Sequence, residues 1–198
     1  MRRRQMNDSD PAKQPDTAQD GDAVLLQRIA AGDRLAFEAF YRAYVPRLGR
    51  FLHRLVRRSH VIEEVLNDAM LVVWRSAAKF RGQSKVSTWV FAIAYNKALK
   101  AIQRIDDPVD SDPEMLESEQ LEPEGYLMQE QRTALLWGIV DRMSAEHRAV
   151  IELTYYHGYS YDEIAEIMGC PINTVKTRMY HARRRLQTMV SERMEDFR

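Results

Sequence analysis

Hydrophobic residues recur every three or four positions through most of the chain after Asp22, which predicts an all-α protein. The pattern divides into helical segments at about 22–31, 34–58, 60–80, 87–105, 126–143 and 145–156, followed by two further helices near the C-terminus. In the second segment Pro46 is expected to kink the helix without ending it, because the apolar period continues beyond it. Its wide apolar face comprises Leu35, Phe37, Phe40, Tyr41, Tyr44, Leu48, Phe51, Leu52 and Leu55.

Two segments lack this periodicity, and they suggest the domain boundaries. Residues 1–21 are polar and contain two prolines, which is typical of a disordered arm. Residues 106–126 contain three prolines and many acidic residues, which favours a flexible acidic linker. The chain is therefore predicted to form two small helical domains, 22–105 and 127–198, joined by that linker.

Residues 160–186 have the signature of a helix-turn-helix. Ser160 followed three positions later by Glu163 predicts a capping box at the start of a short helix. Gly169 suits the end of that helix, because glycine adopts positive φ without strain. Pro171 suits the first position of the next helix, which continues from Ile172.

The second of these helices has one apolar stripe and one basic, hydrogen-bonding face. No acidic residue occurs between 167 and 191, so this face can approach a polyphosphate without local repulsion. Amide, hydroxyl and cationic side chains on one helix suit the DNA major groove. The alternative is an ordinary helical hairpin with a solvated basic face. The candidate DNA-binding residues are Asn173, Lys176, Thr177, Arg178, Tyr180, His181 and Arg184. Among them, helical periodicity places Arg178 towards the core side of the helix.

The net charge is zero, but the charges are segregated along the chain. Residues 69–105 carry seven Lys and Arg and no acid, whereas residues 106–130 carry ten acids and no base. Within the basic block, the segment 87–105 combines cations with aromatic residues, a form suited to nucleic-acid backbone and bases. Trp89 in this segment either packs on the preceding helix or contacts nucleic acid.

Composition argues against several other classes of protein. Cys170 is the only cysteine, which excludes an intramolecular disulfide and a cysteine-cluster metal site. The five histidines are scattered without a nucleophile or metal-ligand spacing, so neither an enzyme nor a cofactor is predicted. No apolar run is long enough to span a bilayer, which predicts a soluble, cytoplasmic protein without direct membrane insertion.

The two helical blocks together resemble the bacterial RNA polymerase sigma factors of the extracytoplasmic-function group. IEEVLNDAMLVVWRSAAKFRG followed by STWVFAIAYNKALKAIQR is similar to the second region of that family. MSAEHRAVIELTYYHGYSYDEIAEIMGCPINTVKTRMYHARRRL is similar to its fourth region. The order of the blocks and the acidic linker between them strengthen the resemblance, which implies binding to core RNA polymerase and promoter DNA.

The resemblance also implies roles for individual residues. Glu63, Glu64, Asn67 and Asp68 match the stretch that holds the clamp helices of the polymerase largest subunit, although taken alone they suit a solvated first helical turn. Val61 stands where the family usually has an aspartate. The fourth region is expected to contact the polymerase flap and the minus-thirty-five element. Candidate minus-ten residues are Phe80, Arg81, Gly82, Gln83, Ser84, Lys85, Asn96, Lys97, Lys100 and Arg104.

Members of this group are commonly held inactive by an anti-sigma factor, often membrane-bound, and the resemblance implies such a partner here. Two other functions remain open. One is a helix-turn-helix transcription regulator whose first domain is a sensor or dimerisation module. The other is a sigma mimic that sequesters an anti-sigma factor, but this mimic does not need Lys176, Tyr180 and Arg184 on its recognition face.

Overall fold

The structure is a computed structural model that describes residues 17–56, 58–106, 138, 140 and 142–195. Within this part of the chain all regular structure is helical, which confirms the predicted all-α fold. None of the helices there is long and apolar enough to cross a membrane. In the described residues a short 3-10 helix, Ala77–Lys79, follows the third of seven bounded α-helices, which are α1 (Thr17–Ala30), α2 (Arg34–Leu55), α3 (Ser59–Ser76), α4 (Val86–Asp106), α5 (Ala145–Tyr155), α6 (Tyr161–Met168) and α7 (Ile172–Glu195).

Helix α1 begins earlier than the sequence pattern predicts. Its first residue is Thr17, five positions before the expected start at Asp22 and within the segment predicted to be a disordered arm. The polar residues at this end carry no hydrophobic period, so periodicity could not detect the first turn. The predicted arm from 1 to 16 lies outside the described residues.

Helix α2 follows a turn that the sequence specifies well. The carboxylate of Asp33 accepts hydrogen bonds from the backbone N–H groups of Leu35 and Ala36 at 2.9 and 3.1 Å, and it therefore caps the helix. Pro46 lies inside α2, as predicted. The assignment of Leu35 to the apolar core face is wrong, because its side chain is 73% exposed. Leu35 is the second residue of the helix and lies beyond the area that neighbouring helices cover.

Helices α1 to α4 pack around an aromatic core. Phe40 and Tyr44 stack with their ring centroids 4.3 Å apart, and Phe51 of α2 meets Phe91 of α4 at 5.3 Å. All four rings are fully buried. This core holds the acidic side of α3 and the basic side of α4 next to each other.

The second half of the described chain, which contains α5 to α7, packs on the first half, which contains α1 to α4. Helix α6 lies against α4, and α5 lies against α2, so one continuous hydrophobic core includes residues of both halves. The predicted linker, 106–126, lies outside the described residues apart from Asp106. In the predicted helix 126–143, Gly138 and Val140 are helical, and 142–143 form a turn.

Candidate nucleic-acid and protein interfaces

The helix-turn-helix forms as its local sequence predicts. The hydroxyl of Ser160 accepts a hydrogen bond from the backbone N–H of Glu163, whose carboxylate accepts one from the backbone N–H of Ser160 at 2.8 Å. This reciprocal pair is the predicted capping box. Gly169 ends α6 with φ of +60°. The sequence pattern predicts Pro171 as the first residue of the next helix, but it lies one position before α7 and acts as its N-cap, since its carbonyl accepts hydrogen bonds from the backbone N–H groups of Thr174 and Val175.

Helix α7 separates a buried stripe from an exposed basic face. Val175, Met179 and Ala182 are buried against the rest of the second half. The opposite side chains project into solvent, which is the geometry required of a helix that enters a major groove. The exposed residues are Asn173, Lys176, Thr177, Tyr180, His181 and Arg184.

Arg178 differs from the other candidate residues on α7. Its side chain is partly buried, and its Nη1 lies 3.7 Å from Sγ of Cys170 in the turn. Its charge also acts on Tyr95 of α4, where burial raises the tyrosine pKa to about 12 and Arg178 partly opposes that rise. Arg178 therefore faces the interior side of the recognition helix in this conformation.

Arg183 is a positioned cation that the sequence analysis did not include among the DNA-binding residues. Its Nε donates a hydrogen bond to the hydroxyl of Tyr155 on α5 at 2.9 Å, and its guanidinium carbon lies 5.7 Å from the centre of that ring. The pairing spans 28 positions of sequence, so helical periodicity could not reveal it. Tyr155 holds Arg183 at the border of the exposed basic face.

The loop 80–85 connects the 3-10 helix to α4. Arg81, Gly82 and Gln83 are exposed, and Gly82 has φ of +69°, a conformation that favours glycine. At one end of the loop, the ring of Phe80 lies 5.3 Å from that of Trp89. Trp89 is half-buried and packs beside the core, so its ring supports the loop.

The remaining candidate minus-ten residues extend along α4 from Trp89. Asn96 is seven positions after Trp89, which places it two turns along the same side of the helix. The Asn96 amide donates to the carbonyl of Ala92 at 2.9 Å and is exposed, as are Lys100 and Arg104. This side of α4 therefore presents one amide and a row of cations to solvent.

The acids of α3 pair with cations of α4. Nζ of Lys97 lies 2.8 Å from Oδ2 of Asp68, and Nη2 of Arg104 lies 3.2 Å from Oε1 of Glu64. These four side chains are all at least one third exposed, so each pair contributes little to folding stability. The pairs place the candidate polymerase-binding acids and the candidate DNA-binding cations on one continuous surface.

A partly apolar groove of about 500 Å³ adjoins the acidic residues of α3. Asn67 belongs both to the groove and to the acidic stretch, and its Oδ1 accepts a hydrogen bond from Tyr41 at 3.4 Å. Helical periodicity does not reveal this groove, because it places Phe37 and Tyr41 on the core face of α2. The sequence contains one sign of the groove, because the apolar residue Leu71 falls outside the apolar stripe of α3. In the structure its side chain is 43% exposed. The lining residues are Arg34, Phe37, Tyr41, Asn67, Met70, Leu71 and Trp74.

Comparison with known protein families matches both halves of the chain. The family described as "Sigma-70 region 2" matches residues 40–106, and "Sigma-70, region 4" matches residues 131–186. Together the two matches cover more than half of the chain, and they coincide with the α3–α4 surface and the helix-turn-helix. The chain belongs to the sigma-70 family. It is thus a transcription initiation factor that directs RNA polymerase to promoters.

Individual relatives agree with this assignment along most of their length. The chain is 29% identical to the ECF RNA polymerase sigma-E factor of Escherichia coli K12 over 180 residues, covering 85% of this chain and 94% of that protein. It is 28% identical to the RNA polymerase sigma-H factor of Pseudomonas aeruginosa, covering 83% and 91% respectively.

Two solved structures share the fold. The sigma factor RpoE of Bartonella quintana, in complex with the anti-sigma factor NepR, is 29% identical with a TM-score of 0.62, covering 78% of this chain and 96% of that one. CnrH, in complex with the cytosolic domain of CnrY, is 19% identical with a TM-score of 0.65, covering 87% and 99%. The second likeness concerns the fold alone.

Proposed function

We propose that this sigma factor binds core RNA polymerase through the α3 surface, on which Glu63, Glu64, Asn67 and Asp68 adjoin the groove containing Leu71. The expected partner is the pair of clamp helices in the polymerase largest subunit, with the second half contacting the flap. The observation that carries the proposal is the juxtaposition of exposed carboxylates with an exposed apolar side chain on one helix. Carboxylates can make charge-assisted hydrogen bonds to arginines of a partner helix, while Leu71 supplies apolar area.

The polymerase proposal is tested by run-off transcription on DNA upstream of the gene that encodes this chain, with purified core polymerase. We expect a discrete transcript only when the protein is present. Leu71→Ala and Glu63→Gln should weaken binding to core polymerase several-fold, whereas Glu166→Gln, a change at an exposed acid on α6, serves as the matched control. Binding without a transcript points to the wrong template, and no binding favours the regulator or the mimic.

Promoter reading is proposed for two separate surfaces. The loop 80–85, Asn96 and the α4 cations Lys97, Lys100 and Arg104 take the minus-ten element, with Phe80 and Trp89 supporting the loop from below. The exposed face of α7 takes the minus-thirty-five element. Tethering two weak sites in one chain makes the second contact intramolecular, which raises selectivity for DNA that contains both elements. DNA carrying only one element should therefore lose most of the transcript.

The residues of α7 divide into two roles under this proposal. Lys176, Tyr180 and Arg184 are exposed and suit base edges or phosphates, whereas Arg178 is partly buried and suits a phosphate contact at the edge of the site. Permanganate footprinting of the minus-ten region, together with base substitution in the minus-thirty-five region, assigns each surface to its element. The base-reading role of Lys176 is contradicted if a base substitution in the minus-thirty-five element lowers transcription by the same factor for Lys176→Ala as for the wild-type protein.

An anti-sigma factor is the proposed regulator, because the Bartonella quintana relative at 29% identity is found in complex with one. We expect the protein to work in the cytoplasm, where the polymerase and its DNA are. Co-expression of the neighbouring genes, followed by affinity purification, should recover the partner. Its presence in the membrane fraction distinguishes an anchored anti-sigma factor from a free one. If protein expressed alone is no more active than protein with every neighbour co-expressed, the idea of such control fails.

A further inference from the structure

We propose that the open cavity between the start of α5 and the C-terminal half of α7 binds a phosphate group. The cavity has a volume of about 590 Å³, which lies within the range of small-ligand sites, about 300 to 1,000 Å³. Four of its lining residues are basic, namely His147, His181, Arg184 and Arg185. The inference goes beyond the proposed function, because it requires neither polymerase nor a promoter.

Helix α7 supplies most of the positive charge in this cavity. His181, Arg185 and Thr188 follow one another at intervals of four and three residues, so they lie on one side of the helix, with Arg184 beside them. The guanidinium groups of Arg184 and Arg185 make no ion pair or hydrogen bond with the residues that the structure describes. None of the described residues lining the cavity is acidic, so this charge is not neutralised within it.

Helix α5 adds an oriented imidazole from its first turn. Nδ1 of His147 lies 2.7 Å from the hydroxyl of Ser144, and this hydrogen bond fixes the ring. Within the described part of the chain, Nε2 has no hydrogen-bond partner. When the serine hydroxyl donates to Nδ1, Nε2 carries the proton and is the nitrogen that can donate to a ligand.

The pKa of His147 reports the electrostatic character of the cavity. Burial lowers this pKa, and the positive charges of His181, Arg178 and Arg185 lower it further, while Glu146 opposes the change. The Glu146 carboxyl is buried in part, but hydrogen bonds from its own backbone N–H and from Ser144 hold its pKa below the usual value. A bound dianion would favour the protonated imidazole, so binding should take up a proton and tighten as pH falls.

The charge in the cavity suits a phosphate group better than a carboxylate. A carboxylate carries one charge, whereas a phosphate monoester carries about −1.5 to −2 and three acceptor oxygens. The planar fork of arginine donors matches phosphate geometry, and two arginines with two imidazoles can surround such a group. Ala182 and Met189 line the remainder of the cavity, which leaves apolar surface for the rest of a nucleotide.

The phosphate group has two possible sources. One is a free phosphate compound such as a nucleotide. The other is the backbone of DNA bound by α7, because His181 and Arg184 also belong to the exposed face proposed for the minus-thirty-five element. Both sources present the same chemistry to the cavity, and the experiment separates them.

The first measurement is isothermal titration of the full-length chain with inorganic pyrophosphate at constant ionic strength. The wild type should bind pyrophosphate saturably at one site. Arg185→Gln should weaken this binding about three- to ten-fold, because it removes charge-assisted hydrogen bonds at a partly solvated site. Arg185 is exposed, so its replacement should leave the fold intact.

Arg75→Gln is the matched control, because Arg75 is an exposed cation of α3 that does not line the cavity. It removes the same net charge and should leave pyrophosphate affinity unchanged. The proposal is overturned if pyrophosphate does not bind saturably, or if Arg75→Gln weakens binding as much as Arg185→Gln.

A second readout follows the imidazole of His147 by NMR across a pH titration, with sodium sulfate or with sodium chloride of equal ionic strength. Sulfate mimics the shape of phosphate and keeps its charge over the pH range used. The pKa of His147 should rise in sulfate, and Arg185→Gln should reduce the rise. An equal pKa in both salts would remove His147 from the site and contradict the proposal.

Competition with duplex DNA identifies the source of the phosphate. If DNA displaces pyrophosphate, and Arg185→Gln lowers the salt slope of DNA binding by about one, the cavity takes a backbone phosphate. If pyrophosphate remains bound in the presence of DNA, the cavity takes a free phosphate compound. Either result supports the site, and both are obtained without polymerase, so failure of the proposed promoter function would not remove it.

Discussion

Replacing Glu152 with glutamine should stabilise the protein at alkaline pH and have little effect at acidic pH. Glu152 is 2% exposed on α5, and its Oε2 has no hydrogen-bond partner. Burial raises its pKa to about 7, while the nearby Arg54 and Arg50 of α2 oppose that rise. Folding thus keeps this carboxyl protonated at a pH where it is already ionised in the unfolded chain.

The magnitude follows from the difference between the two pKa values. A raised carboxyl pKa means that the folded state binds the proton more tightly, so stability is fully present below the usual pKa of 4.5 and is lost as pH rises through about 7. Each unit of difference between the folded and unfolded pKa corresponds to about 1.36 kcal/mol, so ionisation of Glu152 lowers the free energy of unfolding by at most roughly 3 kcal/mol. Glutamine is neutral at every pH and therefore avoids this loss.

Urea unfolding of wild type and Glu152→Gln at pH 5 and pH 8 measures the effect. We expect the variant to be about 2 to 3 kcal/mol more stable than wild type at pH 8 and nearly equal to it at pH 5, with unchanged m-values. Glu166→Gln, at an exposed position, should show no such difference. The reasoning is refuted if Glu152→Gln differs from wild type by the same amount at both pH values.

His157 changes the free energy of unfolding with pH in the opposite direction to Glu152, and urea unfolding over a range of pH can reveal this effect. Burial lowers its pKa to about 4, with Arg47 and Arg50 adding to the effect. The neutral imidazole is favoured in the folded state, so its contribution to stability is lost as pH falls from 6.5 towards 4. Between pH 4.5 and 6.5, the stability that the wild type loses through Glu152 as pH rises is nearly equal to the stability that it gains through His157. Glu152→Gln should therefore show a steeper loss of stability with acid than the wild type.

Four further predictions concern the recognition helix, its turn, and single residues of α2 and α5. Lys176→Ala should lower promoter discrimination by about 1 to 3 kcal/mol if Lys176 contacts a base, and should weaken binding uniformly across sequences if it contacts phosphate, as measured by competition between promoter variants. Gly169→Ala should lower the free energy of unfolding by about 1 kcal/mol, because φ is +60° there. Gly49→Ala, inside α2 with open space around its Cα, should raise it by about 0.5 to 1 kcal/mol. Tyr155→Phe should weaken promoter affinity two- to five-fold by removing the acceptor that positions Arg183; unchanged affinity at low and high salt would place Arg183 away from DNA.

Local sequence patterns predicted the elements of this protein well. The capping box at Ser160, the glycine stop at Gly169 and the cap at Asp33 each depend on side chains within a few positions, so they can be read without knowing the fold. The exposure of Lys176 and Tyr180 follows from helical periodicity alone. The start of α1 was missed because a polar helical turn has no hydrophobic period.

Contacts between distant segments could not be predicted in this way. The pairing of Lys97 with Asp68, the groove beside Leu71 and the hydrogen bond from Arg183 to Tyr155 each join helices far apart in sequence. Arg178 illustrates the limit, because helical periodicity places it towards the core side of α7 but does not show what its side chain contacts. Only its neighbours in the folded chain turn its side chain towards Cys170.

The sequence by itself determined the helices, the two-block organisation and the basic face of the recognition helix, because these depend on local periodicity, capping and charge. Only the tertiary structure decided how the blocks meet. It buries Arg148 against the end of α2 and brings Lys85 to Glu163, since these contacts form only when the helices of both halves pack around a shared core. Local pattern carries no information about such packing, because the same amphipathic helices can cover their apolar faces in several arrangements.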